Sequence, residues 1–324
     1  MAQRYLGYYQ LAENLISLFL NPIGGAVADR FKRRKILLVT DFVGGLMCLL
    51  LALIGTDHIM LYGLISVNAI LAISHAFSGT SFRSYVVTLV EKDRLVDFNA
   101  KLEVISQIIS ISSPLLAFLF VDRFGLKPTL LLDSLTFFLS FALLFSIRQD
   151  EKHVEQTREA ASVGAILRDI REGLLFIFHE KEVFFLLVVA ALVNFFIAAY
   201  NYLIPFSNHL FSDSSSYATL LSMGAAGSIL GALLAKKLFQ NSHTSLLLSL
   251  ALSGMGLALI TPLEIKKKKK IIISTGNLIF ECFLTIFNIH FFSMVQKKVP
   301  NELLGRVFSS IFTVAVIFMP LATS

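Results

Sequence analysis

The chain has 324 residues, 56% of them apolar and only 15% charged, with a net charge of +6 and a mean hydropathy of +0.74. A soluble domain averages about 45–50% apolar and about 25% charged residues, so this chain cannot cover a water-facing surface and its apolar excess must face lipid. The basic charges sit in short loops between apolar runs rather than on one folded face, which excludes a nucleic-acid partner and reads as a topology signal.

A helix needs about 20 apolar residues to cross about 30 Å of hydrocarbon. Ten segments meet that demand: Tyr5–Ala28, Ile36–Gly55, Ile59–Ser81, Ala100–Val121, Pro128–Ile147, Val183–Ser207, Tyr217–Leu238, Thr244–Thr261, Ile271–Val295 and Val307–Ala322. All ten are predicted to be helices, because an open strand edge in lipid leaves backbone groups unpaired. The fold class is therefore an all-α membrane protein.

The first segment is too long and too polar in its middle for a signal peptide, and no cleavage site follows it. Its polar stripe is Gln10, Glu13, Asn14, Ser17 and Asn21. The second and fifth segments hold Asp41 and Asp133, about 8 Å into their spans. His75 lies near the end of the third and reads as a hydrogen-bonded packing residue. The fourth offers Glu103, Ser106, Gln107, Ser110 and Ser113, and the sixth Asn194 and Asn201 beside Tyr200 and Tyr202. Gly224, Gly227 and Gly231 in the seventh follow the small-residue spacing that lets helices approach closely. The ninth carries Ser274, Asn277, Glu281, Thr285 and Asn288 on one helical face. Cys48 and Cys282 fall inside apolar runs and read as buried thiols rather than a disulfide or metal ligands. With no tryptophan in the chain, an interfacial belt must use tyrosine and phenylalanine.

Alternate loops carry twenty of the Lys and Arg residues, and the opposite set carries eight, five of them in the run Lys266–Lys270. The excess places the first set in the cytoplasm. The lysine run is the discordant feature and reads as a solvated external loop near anionic headgroups. Ten helices in this orientation put both chain ends outside, a pattern expected if one helix were missing at each end. The stretch Arg148–Glu182 divides the spans five and five. Its second part is amphipathic, with Val163, Ile166, Leu167, Ile170 and Leu174 on one face and Ser162 as N-cap. It reads as an interfacial linker helix between an N-terminal bundle (1–147) and a C-terminal bundle (183–324), with the linker at 148–182.

The bundles carry traces of a repeat. Gly25-Ala-Val-Ala-Asp29-Arg30 closes the first span and Gly231-Ala-Leu-Leu-Ala235-Lys236 closes the seventh, 206 positions on. Val90-Glu-Lys-Asp-Arg-Leu95 is matched by Val299-Pro-Asn-Glu-Leu-Leu304, 209 positions on. Near-equal offsets point to duplicated helical halves, a feature of secondary transporters.

Gly24-Gly25-Ala-Val-Ala-Asp29-Arg30-Phe-Lys32-Arg33-Arg34-Lys35 resembles the loop motif of the major facilitator superfamily: glycine, three residues, Asp-Arg, then a basic cluster. Asp133-Ser-Leu-Thr-Phe137-Phe138, Asp169-Ile-Arg-Glu-Gly173 and Val299-Pro300-Asn-Glu302-Leu-Leu-Gly305-Arg306-Val307 resemble its branch of macrolide-efflux proteins and enterobactin exporters. The resemblance covers essentially the whole chain, aligned to the second through eleventh family helices, and implies a two-bundle helical transporter. Two positions depart from the pattern. Lys32 stands where the family has its second loop glycine, and Ser112-Ser113-Pro114-Leu115-Leu116-Ala117 keeps the proline of the antiporter motif without its glycines.

Asp29 sits at a helix C-terminus, where the dipole disfavours a carboxylate. Arg30, Arg33 and Arg34 are the nearby cations. The resemblance implies that Asp29 approaches the helix start near Leu304–Val307 and latches a cytoplasmic gate; the alternative is that the basic cluster only sets topology. Ionisable groups inside spans are functional candidates by default. Glu281 lies about 15 Å deep and Glu13 about 12 Å deep, and both are candidates for proton coupling or for contact with a cationic substrate. The alternative for each is a structural carboxylate. Asn277, Asn194, Asn201 and Gln107 are candidate cavity residues. By the resemblance, Asp41 and Asp133 lie on helices outside the cavity and are structural.

No phosphate-binding glycine loop appears, which argues against ATP-driven transport within this chain. No metal-ligand cluster and no nucleophile–base pattern appears either, so neither a cofactor nor an enzyme activity is expected. The expected function is secondary transport in the cell membrane. It would be proton-coupled efflux of amphipathic small molecules by a monomer, with protons, the substrate and the lipid bilayer as partners. Uptake by symport and a truncated, non-transporting membrane protein are the alternatives.

Overall fold

A computed structural model describes residues 17–54, 57–149, 151, 162–204, 207, 216–238, 242–260 and 269–323. Eleven helices occur among them. They are α1 (17–30), α2 (Arg33–Ile54), α3 (Asp57–Leu89), α4 (Leu95–Phe124), α5 (Leu126–Ser146), α6 (Val163–His179), α7 (Lys181–Leu203), α8 (Ser216–Leu234), α9 (Ser242–Ile260), α10 (Lys269–Lys298) and α11 (Leu304–Thr323). Seven of them (α2–α5, α7, α8 and α10) are long and apolar enough to cross a membrane, and α9 is a shorter apolar helix. Each predicted span falls on a helix, as far as the described residues reach, and α6 falls on the predicted amphipathic stretch. Several helices overrun the apolar segments. α3 continues to Leu89, and α10 runs to Lys298. Hydropathy marks only the part of a helix inside hydrocarbon, while backbone pairing continues into the interfacial region.

The chain forms two compact units. The first comprises Met1–Leu89, Leu116–Asn194 and Val299–Leu321, the second Val90–Leu115, Phe195–Lys298 and Ala322–Ser324. In the first unit α2 packs against α3 and α5 around Cys48, Leu51, Ala52, Met60, Val67 and Leu130. In the second, α10 packs against α8 and α9, and α4 joins it through Ala100, Ala232, Ala235, Cys282, Ile286 and Ile289. Both cysteines are free and buried, as their apolar surroundings required. Large apolar side chains stand exposed along the spans, among them Phe118, Leu135, Leu143 and Leu192, because these surfaces meet lipid rather than water.

The second pair of repeated segments adopts the same local structure twice. Glu91 (φ −59°, ψ 142°) and Pro300 (φ −54°, ψ 144°) are extended, and each leads into a single 3-10 turn, Lys92–Arg94 and Asn301–Leu303. Leu95 and Leu304 then start α4 and α11. His75 is exposed rather than packed. Asp41 accepts a hydrogen bond from Ser140 Oγ at 2.7 Å, across the α2–α5 contact.

Candidate functional site: a charge cluster at the end of α1 and a polar face on α10

In the first unit, α1 delivers Asp29 to the end of a helix whose free carbonyls repel a carboxylate. Compensation comes from the opposite kind of helix end. Asp29 Oδ1 accepts from the Gly305 N–H at 2.7 Å, and Oδ2 accepts from the Arg306 N–H at 3.1 Å. These amides lie in the first turn of α11, where N–H groups lack intrahelical acceptors and the dipole favours negative charge. The approach needs bare backbone on both sides. A Cβ on Gly25 would strike Gly305 O and Ser309, and one on Gly305 would strike Gly25 O and lie 2.6 Å from Asp29 Oδ1.

The basic residues that follow Asp29 divide among different partners. The Arg33 guanidinium is fully buried and all five of its N–H donors are used. They reach Ala28 O (3.1 Å), Ser84 O (3.1 Å), Asn301 Oδ1 (2.6 Å), Asp29 Oδ1 (3.2 Å) and Asn301 O. Arg30 instead holds Asp169 on α6 through Nε and, at 3.0 Å, through Nη2. Arg34 turns away from Asp29. It donates to Leu144 O at 3.2 Å and to Phe145 O, capping the C-terminus of α5, and lies 5.5 Å over the Phe145 ring. Glu151 completes this corner by accepting from the Arg33 and Arg34 backbone N–H groups at 2.7 and 3.1 Å, an N-cap for α2 supplied from 117 residues away.

Arg306 joins three carboxylates: Asp29 at 3.4 Å, Asp169 at 3.4 Å and Glu172 at 3.0 Å. Burial pushes the Asp29 carboxyl up to about 6, against the pull of Arg33, the two backbone donors and the Arg306 charge. The arrangement ties the end of α1, the start of α11 and one face of α6 into one network that exclusion of water strengthens.

In the second unit, Tyr200 Oη donates to Asn277 Oδ1 at 2.6 Å, and Asn277 Nδ2 donates to Leu220 O at 2.6 Å. Asn277 thereby uses both its oxygen and its nitrogen, stitching α7, α8 and α10 together. One turn further along α10, the half-buried Glu281 has a longer bond, from Ser228 Oγ at 3.4 Å. Gly224 makes room for both, since a Cβ there would lie 2.9 Å from Asn277 Nδ2 and 3.2 Å from Glu281 Cγ. Gln107 is half-buried on α4 and Asn201 is exposed on α7. Asn194, in the first unit, donates to Ala190 O at 2.8 Å within its own helix. Glu13 lies outside the described residues; Asn21 of its stripe is buried. Among the described residues no group of three His, Cys, Asp or Glu side chains could hold a metal ion.

Several partners carry no signal in the sequence alone. Asn301 and Glu151 are polar loop residues whose roles exist only once the chain is folded. Asn99 donates to Ser293 Oγ at 2.9 Å and Gln296 Oε1 at 2.7 Å, and all three residues are buried. Their positions at helix ends beside the basic loops were the only available hint.

A family model described as "Major Facilitator Superfamily" matches residues 6–323. Macrolide efflux protein A of Streptococcus pyogenes is 23% identical over 310 residues, covering 93% of this chain and 74% of that one. The protein of the same name from Enterococcus faecalis is 22% identical and covers 93% of both chains. Among solved structures, a bacterial homologue of the iron transporter ferroportin in its outward-facing state aligns with a TM-score of 0.70 at 15% identity, over 98% of this chain and 81% of that one. The Escherichia coli fucose:proton symporter aligns with a TM-score of 0.70 at 14% identity, over 98% and 82%. At such identities the structural likeness speaks for the fold.

Proposed function

The chain belongs to the Major Facilitator Superfamily and is a multi-pass membrane transporter, not an enzyme; on that premise we propose that it is a proton-driven exporter of amphipathic small molecules of the macrolide kind. The observation that carries the direction and the substrate class is the match to macrolide efflux proteins along 93% of the chain. The proposed setting is the plasma membrane, and the proposed working form is a monomer. In this reading an N-terminal bundle (1–147) and a C-terminal bundle (183–324), joined by the linker 148–182, alternate a substrate site between the two membrane faces.

Two features support distinct roles. The Asp29 cluster suits a cytoplasmic latch, because its bonds join residues up to 277 positions apart and those from Gly305 and Arg306 to Asp29 depend on one approach of α1 to α11. Glu281 suits proton coupling, because it is an intramembrane carboxylate that accepts a long hydrogen bond, 3.4 Å, from the Ser228 hydroxyl. In this reading Asn277, fixed by Tyr200 and the Leu220 carbonyl, orients that face of α10. Asn194, Asn201 and Gln107, with Glu13 on the first span, are further candidates for lining the substrate path.

The test is Glu281→Gln in proteoliposomes with an imposed pH gradient. Gradient-dependent efflux of a macrolide or a cationic dye is expected to vanish while insertion and oligomeric state are retained; unchanged efflux would remove Glu281 from the mechanism. The altered Ser112-Ser113-Pro114 segment leaves uptake as a second reading, and counterflow in oriented vesicles separates the two directions.

A further inference from the structure

Helix α6 has three sides with different chemistry. One side is buried: Ala165, Asp169, Gly173 and Ile177 recur at four-residue spacing, with Asp169 on Arg30 and Arg306. The side roughly half a turn away is apolar and uncovered. Leu167 is 62% exposed, Leu174 41% and Phe178 61%. At 3.6 residues per turn, Arg171 and Arg168 fall beside that apolar strip, and both are exposed. An amphipathic helix in water normally hides its apolar strip. Here the buried side is built around a carboxylate, and the apolar side points outward.

The strip continues into a membrane-spanning surface. Glu180 alone separates α6 from α7. The Phe178 ring meets the Phe184 ring at 5.5 Å between centroids. From there the outward face of α7 runs on through Phe184, Phe185, Val188 and Leu192, all exposed, along a helix long and apolar enough to span. Whatever solvates that face of α7 also reaches Phe178, and for a membrane span that solvent is lipid. A helix with an apolar strip bordered along one edge by arginines and lying at the end of a span matches one that rests in the headgroup–acyl boundary. Arginine stems lie along apolar surface while their heads reach the polar layer.

We propose that α6 is a membrane-surface helix, seated in the cytoplasmic leaflet through Leu167, Leu174 and Phe178 with Arg168 and Arg171 at the lipid phosphates, and that this seat holds Asp169 and Glu172 against Arg30 and Arg306. The bilayer thereby becomes a structural partner of the charge cluster: loss of the seat releases two of the three carboxylates that Arg306 joins.

The experiment uses the full chain with Cys48 and Cys282 replaced by serine, in liposomes of phosphatidylethanolamine and phosphatidylglycerol. A spin label is attached at Leu174→Cys or, as a water-exposed reference, at Arg94→Cys. The label at 174 is expected to collide with lipid-soluble oxygen several-fold more than with an aqueous nickel chelate, and the label at 94 to show the reverse preference. Equal aqueous access at both positions would overturn the seat. The link to the cluster is read by alkylating a single cysteine at the buried Ala165 position, with and without Leu167→Asn/Leu174→Asn. Labelling is expected to rise at least fivefold in the variant, and an unchanged rate would overturn the claim that the seat holds the cluster together.

Discussion

Asp29 and Gly305, 276 positions apart, meet where a helix C-terminus faces a helix N-terminus, with the Gly305 N–H donating to Asp29 Oδ1 at 2.7 Å. A carboxylate that is unfavourable at the end of its own helix is favourable at the start of another. The contact therefore has a sign: a charged Asp29 favours the approach of α1 to α11, and it also balances the buried Arg33 guanidinium 3.2 Å away.

Asp29→Asn should be strongly destabilising. The Asp29 and Arg33 side chains are fully buried, and removing one partner of a buried pair leaves a desolvated charge, at a cost on the order of 3 kcal/mol. The expected readout is a lowered Tm in detergent. The pH dependence supplies a second check. The carboxyl sits at about 6 in the fold against 3.8 ordinarily, so between those values the folded state binds more protons than the unfolded one and this group's contribution rises as the pH falls. The Tm advantage of the unaltered chain over Asp29→Asn should therefore widen from pH 7 to pH 5. A gap that narrows would show that Asp29 is not held above its ordinary range.

Gly305→Ala should act through space rather than charge. Its Cβ would lie 2.6 Å from Asp29 Oδ1 and press on Gly25 O, and overpacking of this kind costs about 1–3 kcal/mol. Gly254→Ala is the control, because nothing lies within 4 Å of a Cβ there. Transport and thermal stability should both fall in the first variant and hold in the second. Equal behaviour of the two would mean that α1 and α11 do not approach as described.

Tyr200→Phe and Asn277→Ala should differ in severity. The first loses one hydrogen bond to Asn277 but keeps the ring contact with Phe280 at 4.9 Å, a loss of about 1 kcal/mol. The second leaves the buried Tyr200 hydroxyl without its Asn277 acceptor and removes the tie from Asn277 to the Leu220 carbonyl of α8, and a buried group left without a partner costs about 1–3 kcal/mol. The expected Tm order is wild type, then Tyr200→Phe, then Asn277→Ala. A Tyr200→Phe loss as large as that of Asn277→Ala would place the role of Tyr200 in something other than orienting Asn277.

Much of the architecture was legible because a bilayer imposes simple demands. Apolar runs of about 20 residues must be helices, and the asymmetry of Lys and Arg orients them. Helix α6 was legible from its period and from Ser162, whose side chain does accept from the Ala165 N–H at 3.1 Å. The destinations of the arginines were not legible. Arg30, Arg33 and Arg34 are neighbours in the chain with the same side chain, yet one holds α6, one fills a buried five-acceptor pocket and one caps α5. A guanidinium will pair with any acceptor within reach, and reach is set by helices far away in sequence.

The sequence by itself determined that this chain spans a membrane many times, which loops carry the positive charge, where the amphipathic helix α6 lies and, through the glycine–Asp29 motif, which family the chain resembles. Those properties are local: each depends on composition or spacing within about 30 residues. Tertiary structure decided which carboxylate meets which cation, that Asn277 is held by two bonds of 2.6 Å while Glu281 is held by a longer one, and that α6 turns Asp169 inward and Leu174 outward. These are pairings between distant segments. Their energies depend on burial and on a few tenths of an ångström of approach, which no pattern of residues along the chain encodes.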